Sequence, residues 1–169
     1  MEKKSQLYIF AALILIGIAF TIASSRNISL PKKATAFDSL TSNFKTEAPK
    51  VVNRAIMENK NVSTEVLAFA SQYQEYARSR DPSIKFMYVL FDEDKVLVEN
   101  YMGEKIEVYY DRRYDIESKN YVLLPRKDIE LMAVIDNIDY DFYLADGMLG
   151  INAVFKSDKE GNVRISVIK

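Results

Sequence analysis

The chain has 169 residues, of which 28% are charged and 49% hydrophobic, and its net charge is −1. That is one domain's worth with a short appendage, and the charge balance gives no global pull toward nucleic acid. There is no cysteine and no histidine, so disulfide frameworks, cysteine zinc sites, thiolate nucleophiles and imidazole bases are excluded, and with them the Ser-His-Asp, Cys-His and zinc-hydrolase mechanisms.

No charged residue lies between Ser5 and Ser25. The apolar run LYIFAALILIGIAF, extended by Thr21, Ile22 and Ala23, covers 17 residues from Leu7 to Ala23, the length at which a helix begins to span a bilayer. A soluble helix keeps a polar face, and this run has none. Residues 1–25 are therefore predicted to form a transmembrane signal-anchor or leader, with the lipid bilayer as the partner of Leu7 to Ala23. A cleaved secretory signal is a second reading, because Thr21-Ile22-Ala23 is a small-residue cleavage site. Two lysines before the run, against Arg26, Lys32 and Lys33 after it, leave the orientation undecided by charge. A short lysine-bearing tail that stays inside places the rest of the chain outside.

Lys3-Lys4-Ser5-Gln6, followed at once by the apolar run, resembles the leader of archaeal type IV pilin-like proteins, the class III signal peptide. The resemblance covers about the first 23 residues. It implies cleavage between Ser5 and Gln6. It also implies that the apolar helix stays on the mature chain, as an anchor or as the seam of a homo- or hetero-oligomer. Many pilins carry an acidic residue at the fifth mature position; here that position is Phe10, so filament assembly does not follow from the resemblance.

Residues 26–36 are polar with one proline and read as a stalk, which leaves 37–169 as the head. Phe37, Leu40, Phe44, Ala48, Val51, Val52, Ala55 and Ile56 keep helical spacing. Pro49 interrupts them, and Thr46 as a cap would place it in a first turn, so two short helices or one kinked helix are predicted. Ser63 reads as the N-cap of a further helix, with Val66, Phe69, Ala70, Tyr73, Tyr76 and Ala77 as its buried stripe and an end near Arg80, before Pro82.

From Ile84 the period becomes two. Alternation at 106–110, 138–144 and 163–167 predicts strands with one wet face. Less regular runs at 85–91, 96–102, 121–124, 131–135 and 151–155 predict further strands, seven or eight in all. Asp92-Glu93-Asp94 and residues 157–162 read as hairpin turns. The predicted class is α+β: two or three helices packed on an antiparallel β-sheet or small sandwich.

Asp136, Asp139 and Asp141 form an acidic cluster of the kind a hard cation takes, but without the glycine and distal Glu of a calcium loop. A solvated face paired with neighbouring Lys or Arg accounts for it more simply, so no metal and no cofactor is expected. Arg112 and Arg113 beside Asp111 and Asp115, and the group Arg78, Arg80 and Lys85, are candidate anion grips or solvated loops. Met148-Leu149 is a candidate apolar loop tip, and the 11 tyrosines divide between core and interface. Asn27-Ile28-Ser29 and Asn61-Val62-Ser63 match the N-glycosylation pattern. No catalytic constellation is recognisable, and the expectation is a non-enzyme. With the pilin-like leader, it is a membrane-anchored, cell-surface structural or interaction protein with an extracytoplasmic head. The rival expectation is an extracytoplasmic ligand-binding or sensory domain of an envelope complex.

Overall fold

The computed structural model describes residues 35–127, 129–143, 148–159 and 161–169. The apolar run, the Ser5-Gln6 junction and Asn27 lie outside them. Among the described residues no helix is long and apolar enough to cross a membrane.

The head opens with helix α1, Ala36–Met57. Thr35 caps it: its hydroxyl accepts from the Asp38 N–H, and the Asp38 carboxylate accepts in return from the Thr35 N–H at 3.2 Å. Each group satisfies a donor that a helix start otherwise leaves unpaired. The helix runs unbroken through Pro49, so the predicted division in two is corrected. Thr46 is not a cap; its hydroxyl donates to the Ser42 carbonyl within the helix. Packing of Phe44, Ala48, Val52 and Ala55, all buried, outweighs the hydrogen bond that Pro49 removes.

Helix α2, Val62–Arg80, is capped by Asn61, whose side chain accepts from the Thr64 N–H at 2.9 Å. The cap therefore lies two residues earlier than the Ser63 predicted. Ser63 is a buried first-turn residue instead.

Among the described residues nine antiparallel strands follow: β1 Ile84–Phe91, β2 Lys95–Tyr101, β3 Ile106–Tyr109, β4 Arg113–Ile116, β5 Tyr121–Pro125, β6 Leu131–Ile135, β7 Ile138–Phe142, β8 Gly150–Lys159 and β9 Asn162–Ile168. They form a five-stranded sheet, order β5-β2-β1-β8-β9, and a four-stranded sheet, order β4-β3-β6-β7. Two elements differ from the sequence pattern. β4 has no periodic signature, because RYDI carries two charges and no apolar stripe. Residues 157–159 continue β8 rather than forming a turn, and Ser157, Asp158 and Lys159 pair with Arg164, Val163 and Asn162.

The fold is α+β in three layers, with helices on one face of the five-stranded sheet and the four-stranded sheet on the other. This explains why β1 lacks alternation. Phe86, Tyr88 and Leu90 face the helices, while Met87, Val89 and Phe91 face the second sheet. A strand dry on both faces must be apolar throughout.

On the helix side, Phe86 stacks between its cross-strand neighbours Tyr101 and Phe155, with ring centroids 4.9 and 5.2 Å away. Phe44 of α1 caps this ladder, 5.7 Å from Phe86, 5.1 Å from Tyr73 and 5.2 Å from Phe155. Tyr73 of α2 donates to the Leu40 carbonyl of α1 at 2.7 Å, tying the helices together.

The chain crosses between sheets after β2, where Asn100 is fully buried. Its amide nitrogen donates to the carbonyls of Glu104 and Ile116, both at 2.8 Å, and its oxygen accepts from the Met102 N–H at 2.8 Å. These bonds satisfy backbone groups that neither sheet reaches. Truncating Phe44 to alanine removes the ring that touches Phe69, Tyr73, Phe86, Tyr88 and Phe155. Phe44→Ala should cost about 3–5 kcal/mol, read as a lower urea midpoint at an unchanged slope.

Candidate functional site

Two places bring polar side chains together inside the head. The larger is a cleft of about 560 Å³ lined by Thr35, Ala36, Phe37, Asp81, Ser157, Lys159, Asn162 and Arg164. The start of α1, the α2–β1 link and the β8–β9 hairpin build it.

Asp81 forms its floor, with the side chain 2% exposed. One carboxylate oxygen accepts from the Ser83 N–H at 3.1 Å and the Ser83 hydroxyl at 2.7 Å; the other accepts from Lys159 at 3.0 Å and from Ser157 at 3.3 Å. Burial raises the Asp81 pKa, but the bonds from Ser83 and Lys159 outweigh it and hold the carboxyl below its ordinary value. At the mouth, Arg164 donates to the Thr35 hydroxyl and, at 2.8 Å, to Asp38, and its guanidinium lies 5.1 Å from the Phe37 ring centre. The cleft thus presents a guanidinium, an ammonium, hydroxyls and an amide, with Asp38 and Asp81 answering its two cations.

The second place is buried. Glu99 of β2, 5% exposed, points to the helix side of the central sheet, opposite Tyr88 on β1. The Tyr101 hydroxyl donates to its Oε1 at 2.8 Å. Its Oε2 and the Tyr88 hydroxyl are both buried and make no hydrogen bond of ordinary geometry. Burial pushes the Glu99 carboxyl up, and the tyrosine hydroxyls beside it only partly offset that. Burial likewise pushes up the Tyr88 and Tyr101 hydroxyls. Nothing in the sequence marks Glu99 as buried: it lies in the less regular run 96–102, where no alternation assigns it a face.

The sequence candidates fall elsewhere. Asp136 and Asn137 have φ of 53° and 61°, the conformation of a two-residue β6–β7 hairpin turn that favours Asp and Asn. Asp136 pairs with Lys156 of β8. Asp139 and Asp141 share one exposed face of β7. Among the described residues no group of three or more acidic side chains could hold a metal ion.

Arg113 is tied to Glu107 at 2.7 Å and Asp115 at 2.9 Å. Asp111 pairs with Lys127 at 2.7 Å, and the bonds from Lys127 and Tyr114 bring its pKa down to about 2. Arg112 lies over the Tyr114 ring. Arg78 and Arg80 are exposed in the last turn of α2, and Lys85 runs past Gly103. Met148 is exposed, whereas Leu149 packs against the helix-side core. Asn61 is exposed, but its side chain serves as the α2 cap.

Comparison with protein-family models, curated proteins and solved structures found no match.

A group whose folded pKa is raised contributes stability that is complete below its unfolded value and is lost as pH rises through the folded one. For Glu99 that loss begins above its ordinary value of 4.5. Glu99→Gln removes the ionisable group, so melting temperature should fall less between pH 4.5 and pH 8. At pH 8 the variant should be about 1–3 kcal/mol more stable than the parent, the scale of one poorly satisfied buried polar group. An unchanged pH slope would show that ionisation of Glu99 does not govern it.

Proposed function

We propose that this is a membrane-anchored, cell-surface protein, pilin-like in its N-terminal design, whose α+β head acts as a structural or interaction module without catalysis. In this reading Leu7 to Ala23 holds the lipid and the head faces outward. The supporting observation is the junction. A charge-free apolar run is followed, within a short polar stalk, by a helix with its own capping box at Thr35. Among the described residues, side chains between Phe37 and Ile168 form two apolar cores. A run with no polar face suits lipid, where a helix satisfies its own backbone hydrogen bonds.

Intact-mass and N-terminal peptide analysis of the native membrane fraction tests this. A chain starting at Gln6 supports processing of the pilin-like leader, and one starting at Met1 supports an uncleaved anchor. A chain starting at Ser24, or a full-length chain that is soluble and monomeric without detergent, defeats the proposal.

The cleft favours a second reading, an extracytoplasmic ligand-binding domain. Its volume of about 560 Å³ is within the range of small-molecule sites, and a few polar groups converge on it. Ligands that carry both an ammonium and a carboxylate match Asp38 and Arg164, the exposed pair at its mouth. Under this reading such a compound raises the melting temperature by several degrees, and Arg164→Ala abolishes the rise. A screen of small zwitterions that moves neither protein nor variant removes it.

A further inference from the structure

The five-stranded sheet ends in β9, whose outer edge has no strand beside it among the described residues. Along one face of β9, Val163, Ile165 and Val167 are 54%, 41% and 42% exposed. The register shows which face this is. Val167 pairs with Val154 of β8, which packs in the core between the sheets, and Ile165 pairs with Lys156, which reaches the β6–β7 turn. The stripe therefore continues the inner face of the sheet past the point where the four-stranded sheet stops covering it.

Exposed strand edges template pairing with another chain, and proteins block them with charge, proline or shortness. Three of the four edges here are blocked in this way. β4 has four residues and carries Arg113 and Asp115; β7 carries Asp139 and Asp141; β5 has five residues and ends in Pro125. β9 has seven residues and one charge, Arg164, whose side chain is turned to the helix side, against Asp38 and Phe37.

We propose that β9 pairs antiparallel with β9 of a second copy, joining the two five-stranded sheets edge to edge. The register centred on Ile165 pairs every residue of the strand. It sets Ile165 against Ile165, Val163 against Val167 and Arg164 against Ser166. The six side chains of the two exposed stripes then lie on one face as cross-strand neighbours. The single charge never meets its like, and beyond the strand Lys169 falls opposite Gly161. Shifting the centre to Arg164 would bring the two guanidiniums face to face. This complementarity in length, charge and apolar stripe is satisfied by the chain itself, which is why the occupant is a second copy. The inference does not depend on the anchor.

The absence of cysteine from the chain makes the register directly testable, because an introduced thiol is the only one present. The full chain, kept in detergent micelles, is oxidised as Ile165→Cys, Val163→Cys and Val167→Cys variants, each checked for native circular dichroism. Ile165→Cys should form a disulfide dimer at least about five-fold more than either flanking variant, whose thiols lie too far from their own copies. Val163→Cys mixed with Val167→Cys should form the mixed dimer. Ile165→Lys should leave the chain monomeric by light scattering. Equal cross-linking at all three positions, none at Ile165→Cys, or a dimer that survives Ile165→Lys overturns the proposal. The last of these outcomes would place self-association elsewhere, including the apolar run.

Discussion

The fold depends on one strand being dry on both sides. β1 lies in the middle of the five-stranded sheet, and its alternate residues serve two separate cores. Neither the helix pair nor the four-stranded sheet could bury its own apolar face without this shared wall. The chain builds the wall by returning to it: β1 and β2 form it, β5 comes back to flank β2, and β8 and β9 complete it. The hairpins β3–β4 and β6–β7 are laid across its far side between those visits. Each crossing leaves backbone groups outside any ladder, and Asn100 serves those at the first crossing with three side-chain hydrogen bonds.

Two buried carboxylates show how local donors decide the fate of a charge. Asp81 and Glu99 are both nearly inaccessible. Asp81 sits at the C-terminal end of α2 but receives two serine hydroxyls, a backbone N–H and an ammonium, and its charged form is favoured. Glu99 receives one tyrosine hydroxyl, keeps an oxygen without a partner, and has its charged form disfavoured. At Asp81 the donors outweigh the cost of desolvation, and at Glu99 desolvation outweighs the fewer donors aimed at it. Asp81 therefore binds the β8–β9 hairpin to the α2–β1 link, while Glu99 is a strained point in the helix-side core.

The surface is organised by its edges. Charge is concentrated on the four-stranded sheet, where Lys105, Glu107, Arg113 and Asp115 form an interlinked set. Exposed pairs of this kind contribute little stability each, but they keep those strands from recruiting a neighbour. The stripe on β9 has no such guard.

From the sequence alone came the α+β class, the order of helices before strands, both helices' buried stripes apart from Ile56 and Tyr76, which are exposed, and the β1–β2 turn at Asp92 to Asp94. These are local: three- or two-residue periodicity and turn chemistry are carried by neighbouring residues. Misreadings fell where a distant partner decided the outcome. Pro49 stays inside a continuous helix because the helix-side core holds both halves. Ser157 to Lys159 extend β8 because β9 pairs with them. The cleft around Asp81 and the burial of Glu99 were invisible in sequence, since each is assembled by elements far apart in the chain. One-dimensional pattern reports which faces are apolar; only the tertiary structure decides which faces meet, and so which charges lose their water.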